Sequence, residues 1–312
     1  MSDPLVILCP GQGAQAVGMG AAWADASPEA AAVLARADEV VGDRFGAKLS
    51  EICRSGPGET LNRTDVSQPA IFAVSAASLA GLVAGWGATL TDLTISATAG
   101  LSLGEYTALY AAGAMDFEQA LELVLLRGRA MQDAAEATPS GMVALIGDDE
   151  ASAAKVCDAA RGDGVLVAAN FNAPGQVVIS GSRDACERAV EVAGDHGLRA
   201  TPLPVAGAFH SPLMQPAADR LGEALAKTPI REPRCAVLSN VTGQPHEGGA
   251  DAIRAKLVAQ LTSPVRWETN CRWLVAHARG TPHELAPGKT LAGLARRIER
   301  DWKVETHDGP DA

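Results

Sequence analysis

Ala99-Gly100-Leu101-Ser102-Leu103-Gly104-Glu105-Tyr106 decides how this chain is read. Gly100, Ser102 and Gly104 spell G-x-S-x-G, the pattern of a serine on a sharp strand-to-helix turn with its hydroxyl facing open space. So tight a turn crowds the positions two residues either side of the serine, and both favour glycine. Upstream, Thr94-Ile-Ser-Ala-Thr-Ala99 is a short apolar, β-branched run suited to a buried strand, and Glu105 to Ala114 is rich in helix formers. Strand, turn and helix are all present. In a chain with 32 glycines the pattern also arises by chance, so its meaning rests on the surroundings.

Working outward, Leu5-Val-Ile-Leu-Cys9 is a continuous apolar run, as in a central strand of a parallel sheet covered on both faces. It ends in Pro10-Gly11-Gln12-Gly13-Ala14-Gln15, which reads either as a plain glycine-rich turn or as backbone laid beside a ligand. It lacks the endings of a phosphate-binding loop. Met19 to Val41 reads as helix with a restart at Ser27-Pro28-Glu29, Gly42 to Arg63 as turns, and Gln68-Pro69 as the opening of an apolar helix through Trp86. Asp116 caps a helix running to Ala137. Within it, Arg127 follows an apolar run and precedes Gly128. A helical arginine is usually solvated or paired at the surface, and the alternative here is an inward guanidinium that binds a carboxylate in bidentate fashion.

From Thr138 the texture changes. Thr138-Pro-Ser-Gly141 reads as a linker, followed by strand (Met142–Ile146), helix (Asp149–Ala160), strand (Gly164–Ala169), the turn Asn172-Ala-Pro-Gly175, strand (Gln176–Ser180), helix (Ser182–Gly194) and strand (Arg199–Val205). That β-α-β-β-α-β order is the ferredoxin-like motif, inserted as a unit over residues 138–205. Residues 1–137 and 206–312 alternate strand and helix, so the expected fold is α/β: a parallel-sheet, α/β-hydrolase-like core with a smaller ferredoxin-like α+β subdomain. Beyond the insert, Gly207-Ala-Phe209-His210-Ser-Pro-Leu-Met214 is a turn bearing a histidine, open to a structural or a chemical role. His196, His246, His277, His283 and His307 lie in polar stretches typical of surface. A strand at Cys235–Ser239, helices at Ala252–Leu261 and Thr269–Arg279, a short strand at His283–Leu285 and a closing helix at Leu291–Asp301 complete the reading.

The bulk numbers bound the function. At 312 residues and 47% hydrophobic, the chain suffices for one large domain with an insert, or for two domains. A formal charge of −11 without a Lys/Arg run argues against a nucleic-acid binder. Six dispersed cysteines form no C-x-x-C pair and no zinc-like spacing with histidines, which fits thiols in a reducing compartment and no metal. The N-terminus lacks the features of a signal peptide, and Leu5–Cys9 is too short to span a membrane, so a cytoplasmic location is expected.

Six separated motifs agree with one another. Pro10–Gln15, Gly100–Tyr106, Leu126-Arg127-Gly128, Asn170-Phe-Asn-Ala-Pro-Gly-Gln176, Gly207–Met214 and Pro287-Gly-Lys289 closely resemble the malonyl-CoA:acyl carrier protein transacylase family, in the right order from about Leu5 to Arg300. The resemblance implies a ping-pong acyl transfer, with Ser102 attacking a malonyl thioester and His210 taking its proton and returning one to the departing thiol. It implies an oxyanion held by the backbone N–H groups of Gln12 and Leu103, a histidine oriented by a backbone carbonyl in Val258-Ala-Gln260-Leu261 (assigned to Gln260), and Arg127 clamping the malonyl carboxylate. Phe209 resembles the malonyl-selecting form of its turn, where a bulky ring leaves little room for an α-methyl branch. No cofactor is implied: coenzyme A arrives as the substrate thioester, and the phosphopantetheine thiol on the carrier protein. The implied partners are malonyl-CoA and an acidic, transiently docked acyl carrier protein. Arg129, Lys289, Arg296, Arg297 and Arg300 are docking candidates, and a monomer is the default state. Two departures stand out: Leu101 replaces the family's usual histidine beside the nucleophile and leaves that flank of the substrate pocket apolar, and Ala286 replaces a glycine. Two other readings stay open: an esterase or thioesterase of α/β-hydrolase type, which calls for an Asp or Glu between the nucleophile and a late histidine, and a non-catalytic carrier-protein docking module.

Overall fold

The computed structural model describes residues 4–147 and 150–310. β1 (Leu5–Cys9) is the apolar run and occupies the middle of the larger sheet. α1 (Ala21–Ala26) and α2 (Pro28–Val41) are separated at Ser27, whose hydroxyl accepts a hydrogen bond from the Ala30 N–H while Pro28 takes the first helical position. The stretch read as turns holds two short helices, α3 (Leu49–Ser55) and α4 (Gly58–Asn62), anchored by buried Leu49, Ile52 and Leu61. α5 (Thr64–Gly85) starts before Gln68, because the Thr64 N–H is capped by Gln132 Oε1 from a distant helix. It is long and apolar enough to cross a membrane, yet 94% of its most apolar window is buried inside the protein, packed by α2, α6 and α7.

β2 (Ile95–Gly100) leads through the serine turn into α6 (Gly104–Ala111). α7 (Phe117–Ala137) opens on a capping box between Asp116 and Gln119. β3 (Ser140–Ile146) begins inside the stretch read as a linker, because Ser140 and Gly141 already pair with Ser182 and Gly181. α8 (Glu150–Ala160), β4 (Leu166–Ala173), β5 (Gln176–Ser182), α9 (Arg183–Val192) and β6 (Arg199–Pro202) follow. Asp149, expected to open α8, lies outside the described residues. The four strands form an antiparallel sheet ordered β4-β5-β3-β6, with a core of its own built on Leu145, Val156, Leu166, Ile179 and Ala189.

α10 (Gln215–Leu225), β7 (Ala236–Val237), α11 (Gly249–Gln260), α12 (Trp267–His277), β8 (Thr281–Leu285), α13 (Thr290–Ile298) and β9 (Glu305–His307) return the chain to the first sheet. That sheet is wholly parallel, ordered β7-β2-β1-β8-β9. The chain does not close on a helix as expected: β9 pairs with β8, three residues too few to register as a periodic signal. β1 and β2 run in register to Cys9 and Gly100, so the two loops leaving their carboxyl ends emerge side by side. Outside the carboxyl ends of parallel strands is where such sheets carry ligands.

Three histidines assigned to the surface are withdrawn from it. His283 and His307 are 5% and 9% exposed, stacked and hydrogen-bonded to each other at 2.8 Å because neighbouring strands β8 and β9 carry them. The His246 side chain is wholly buried against Glu105.

Candidate active site

The serine turn is as tight as its glycines suggested. A Cβ on Gly100 would sit 1.9 Å from the Gly104 carbonyl carbon, and one on Gly104 would sit 2.1 Å from the Cys9 carbonyl oxygen. Only bare backbone lets α6 start this close to β1 and β2. Between the glycines, Ser102 is held at φ 53°, the left-handed region that side chains avoid. Its N–H donates to Asn240 Oδ1 at 2.6 Å, and the Asn240 amide donates to the Gly100 carbonyl at 2.7 Å, so a side chain from the turn after β7 clamps the turn from outside.

His210 is also in the left-handed region, at φ 59°. Its turn is braced by Ser211, whose hydroxyl donates to the Ala208 carbonyl and accepts from the Leu213 N–H. Nε2 lies 2.8 Å from Ser102 Oγ, and Nδ1 lies 2.8 Å from the Gln260 carbonyl oxygen. A carbonyl only accepts, so Nδ1 carries the proton and the Nε2 lone pair faces the serine hydroxyl. Burial first, and the nearby Arg127 charge second, pull the imidazole from 6.5 down to about 4, which keeps it neutral near pH 7 with its Nε2 lone pair free. The partner on Nδ1 is a backbone carbonyl, where the esterase reading needs an Asp or Glu.

Arg127 points inward and is 1% exposed. Its fork donates to Gln68 Oε1 at 2.6 Å, to Gln260 Oε1 at 2.9 Å and to Ser102 Oγ at 3.0 Å, with the Tyr106 ring 5.5 Å from the guanidinium carbon. Among the described residues no carboxylate forms an ion pair with it, and its Nε has no hydrogen-bond partner. The buried Glu105 carboxylate reaches the guanidinium only through the Gln260 amide, so neutral oxygens alone hold the fork directly and no carboxylate sits on it.

The structure brings the other expected residues to the same place. Leu103 is buried at the N-terminus of α6. Gln12 lies on the neighbouring loop after β1, its side chain 3.3 Å from Thr64 Oγ1. Among the described residues neither backbone N–H donates a hydrogen bond. Leu101 is half-buried against that loop, where a Cβ on Gly11 would lie 2.2 Å from the Leu101 carbonyl oxygen. Phe209, 5% exposed, belongs to the main core. Of the basic docking candidates, Lys289, Arg296, Arg297 and Arg300 are exposed on α13 and its ends, whereas Arg129 stands on α7 paired with Asp65 and Asp133. A groove of about 820 Å³ between α7 and α10 includes Arg129 but none of Ser102, Arg127 or His210.

Four contributors had no assigned role in the sequence reading. Asn240 directly follows the expected Cys235–Ser239 strand, Gln68 was a helix start, His246 a surface residue and Glu105 a motif letter. Gln260 does more than offer its carbonyl: its side chain also accepts from Arg127 and donates to the Ser102 carbonyl and to Glu105. Nothing local marks these residues, because each acts on a partner far away in sequence.

The acyl transferase domain family matches residues 6–304. A malonyl CoA-acyl carrier protein transacylase of Bacillus subtilis (strain 168) is 39% identical over 98% of this chain and 94% of its own length, and one of Escherichia coli (strain K12) is 41% identical over 97% and 95%. Among solved structures, the malonyl CoA-acyl carrier protein transacylase of Coxiella burnetii superposes with a TM-score of 0.92 at 34% identity, covering 100% of this chain and 96% of that one. A malonyl-transacylase solved in complex with a type II PKS acyl-carrier protein gives 0.91 at 37% identity, covering 99% and 97%. By both sequence and structure, the chain belongs to the malonyl-CoA:acyl carrier protein transacylase family.

Proposed function

We propose that the protein moves a malonyl group from malonyl-CoA to the phosphopantetheine thiol of an acyl carrier protein, in fatty-acid or polyketide synthesis, through a malonyl-Ser102 intermediate. Ser102 Oγ attacks the thioester carbonyl as its proton passes to His210 Nε2. The oxyanion takes the free N–H groups of Gln12 and Leu103, aided by the dipole of α6. Collapse breaks the C–S bond, and His210 returns the proton to the coenzyme A thiolate. The carrier thiol then gives its proton to His210 and attacks the acyl-serine, and the second collapse breaks the ester C–O bond as His210 returns the proton to Ser102 Oγ. Gln260 holds His210 in the competent tautomer through its carbonyl. The substrates bring every reacting group, so the cycle as written uses no resident cofactor or metal.

The observation that carries this reading is the unpaired, buried Arg127 fork beside Ser102 Oγ. A carboxylate on the acyl group completes that pair, whereas an acetyl group would leave the guanidinium short. Phe209 would narrow the space for an α-methyl branch, a preference worth about 1–3 kcal/mol. Leu101 would keep the nucleophile's flank apolar. The finer architecture in the same reading is an α/β-hydrolase-like core of residues 1–137 and 206–312 with a ferredoxin-like insert of residues 138–205. The protein would act as a cytoplasmic monomer, with the α13 cations and Arg129 as candidates for meeting an acidic carrier.

The test is Arg127→Ala assayed with malonyl-CoA and acetyl-CoA. Malonyl transfer should fall at least about a hundredfold while acetyl transfer is retained or rises; equal loss of both refutes the clamp. A malonyl adduct on Ser102 in mass spectrometry separates the enzyme from a docking module, which would form none.

A further inference from the structure

We propose that Glu105, steadied by His246, is the positioning residue that sets the mutual geometry of Ser102, His210 and Arg127. Glu105 sits in the first turn of α6 and is fully buried, yet it touches none of the three. Its Oε2 accepts from the Gln260 amide at 2.7 Å and from the Asn240 N–H at 3.1 Å, and its Oε1 lies 2.7 Å from His246 Nε2. One carboxylate therefore ties together α6, the turn after β7, the loop carrying His246 and the end of α11.

Each of its partners holds a reacting group. Gln260 binds His210 through its carbonyl and Arg127 through its Oε1, and Asn240 binds the Ser102 N–H. If Glu105 shifts, the base, the anion clamp and the nucleophile shift together. A carboxylate suits the junction because both oxygens only accept, so three donors can converge on one side chain, and an amide would turn a donor toward donors. His246 supplies the third donor. Its side chain has no exposed surface, and among the described residues its Nδ1 has no partner, so its one hydrogen bond is the one to Glu105. An imidazole buried for a single contact, at a site it never reaches, is explained by what that contact holds.

This inference rests on the acyl-transfer reading, and the experiment separates the two. Wild-type protein, Glu105→Gln, His246→Leu and His246→Gln are assayed with malonyl-CoA and acetyl-CoA, with rates normalised to the fraction of Ser102 that accepts an acyl group. Misplacing reacting groups by about 1 Å costs on the order of a hundredfold, so Glu105→Gln should lose about that much in kcat, with the KM for malonyl-CoA changed far less. Its preference for malonyl over acetyl should also fall, because Gln260 no longer seats Arg127. His246→Leu should lose several-fold in kcat, and His246→Gln, whose amide offers a donor to the same carboxylate, should recover most of it. The histidine pair stands as the test if Glu105→Gln does not fold. Wild-type rates and selectivity in the variants, or equal losses in the Leu and Gln variants, overturn the proposal and leave the Ser102–His210 reading intact. Absence of malonyl transfer by the wild-type protein overturns that reading instead.

Discussion

Ser102 and His210 are the two non-glycine residues in the left-handed backbone region among those described, and their turns are held in different ways. Around Ser102 bare backbone packs on bare backbone at Gly100, Gly104 and the end of β1, and Asn240 clamps the turn from far along the chain. Around His210 the ring is fixed at both nitrogens by residues from far along the chain, Gln260 on one side and Ser102 on the other. The glycines of the first turn leave a mark in the sequence, and the distant hydrogen bonds at either turn do not. The nucleophile's turn is thus bound up with folding, and the base's environment is bound up with chemistry.

The largest expected effect tests the first half of that contrast. Gly104→Ala puts a methyl 2.1 Å from the Cys9 carbonyl oxygen, a contact no side-chain rotation relieves. It should cost more than about 3 kcal/mol in urea unfolding, or prevent folding outright. An unchanged urea midpoint would break the comparison, because it would mean that the elbow is not built on close backbone approach.

What could be read in advance follows the same division. β1, β2, the Ser27 restart and the Asp116 cap were legible because apolar runs and caps are properties of neighbouring residues. The order of motifs made Ser102, Arg127 and His210 legible as a set. The start of α5 was not, since its cap is Gln132 on another helix, and neither was β9, whose three residues are strand only because β8 offers an edge. The burial of His246, His283 and His307 escaped for the same reason: polar neighbours in sequence say nothing of which strand or carboxylate will lie against them.

Acid should separate the site from the rim of the sheet. His210 is lowered to about 4 by burial and by Arg127, and His307 to about 4 by burial and by His283. A histidine whose folded pKa lies below its unfolded 6.5 binds fewer protons in the folded state throughout that window. Stability therefore rises with pH between about 4 and 6.5 and is lost on acidification, by at most about 1.4 kcal/mol per pH unit for each such group. Activity should behave differently, because the base stays neutral until pH nears 4. The acid limb of kcat/KM should lie well below 6.5 while urea midpoints already fall from pH 6.5 to 5. His307→Gln should flatten the stability slope and leave the limb in place. A limb at 6.5 would show that Arg127 and burial do not govern His210.

The smallest effect sharpens the contrast by asking whether both turns store the same strain. Glycine is normally the less stable choice where alanine fits, because it loses more freedom on folding. At φ 53° and φ 59° the order should reverse, since an alanine Cβ meets the following carbonyl while glycine does not. Comparing glycine with alanine at one position cancels most of the lost hydroxyl or imidazole contacts, which both replacements remove alike. Ser102→Gly should exceed Ser102→Ala by about 1 kcal/mol in denaturant unfolding, and His210→Gly should exceed His210→Ala by a similar amount. Equal differences would mean that the two turns bear the same backbone strain and differ only in what holds them. A reversal at position 102 alone would mean that the His210 turn relaxes once its ring is gone, leaving the distant hydrogen bonds as the cause of its conformation.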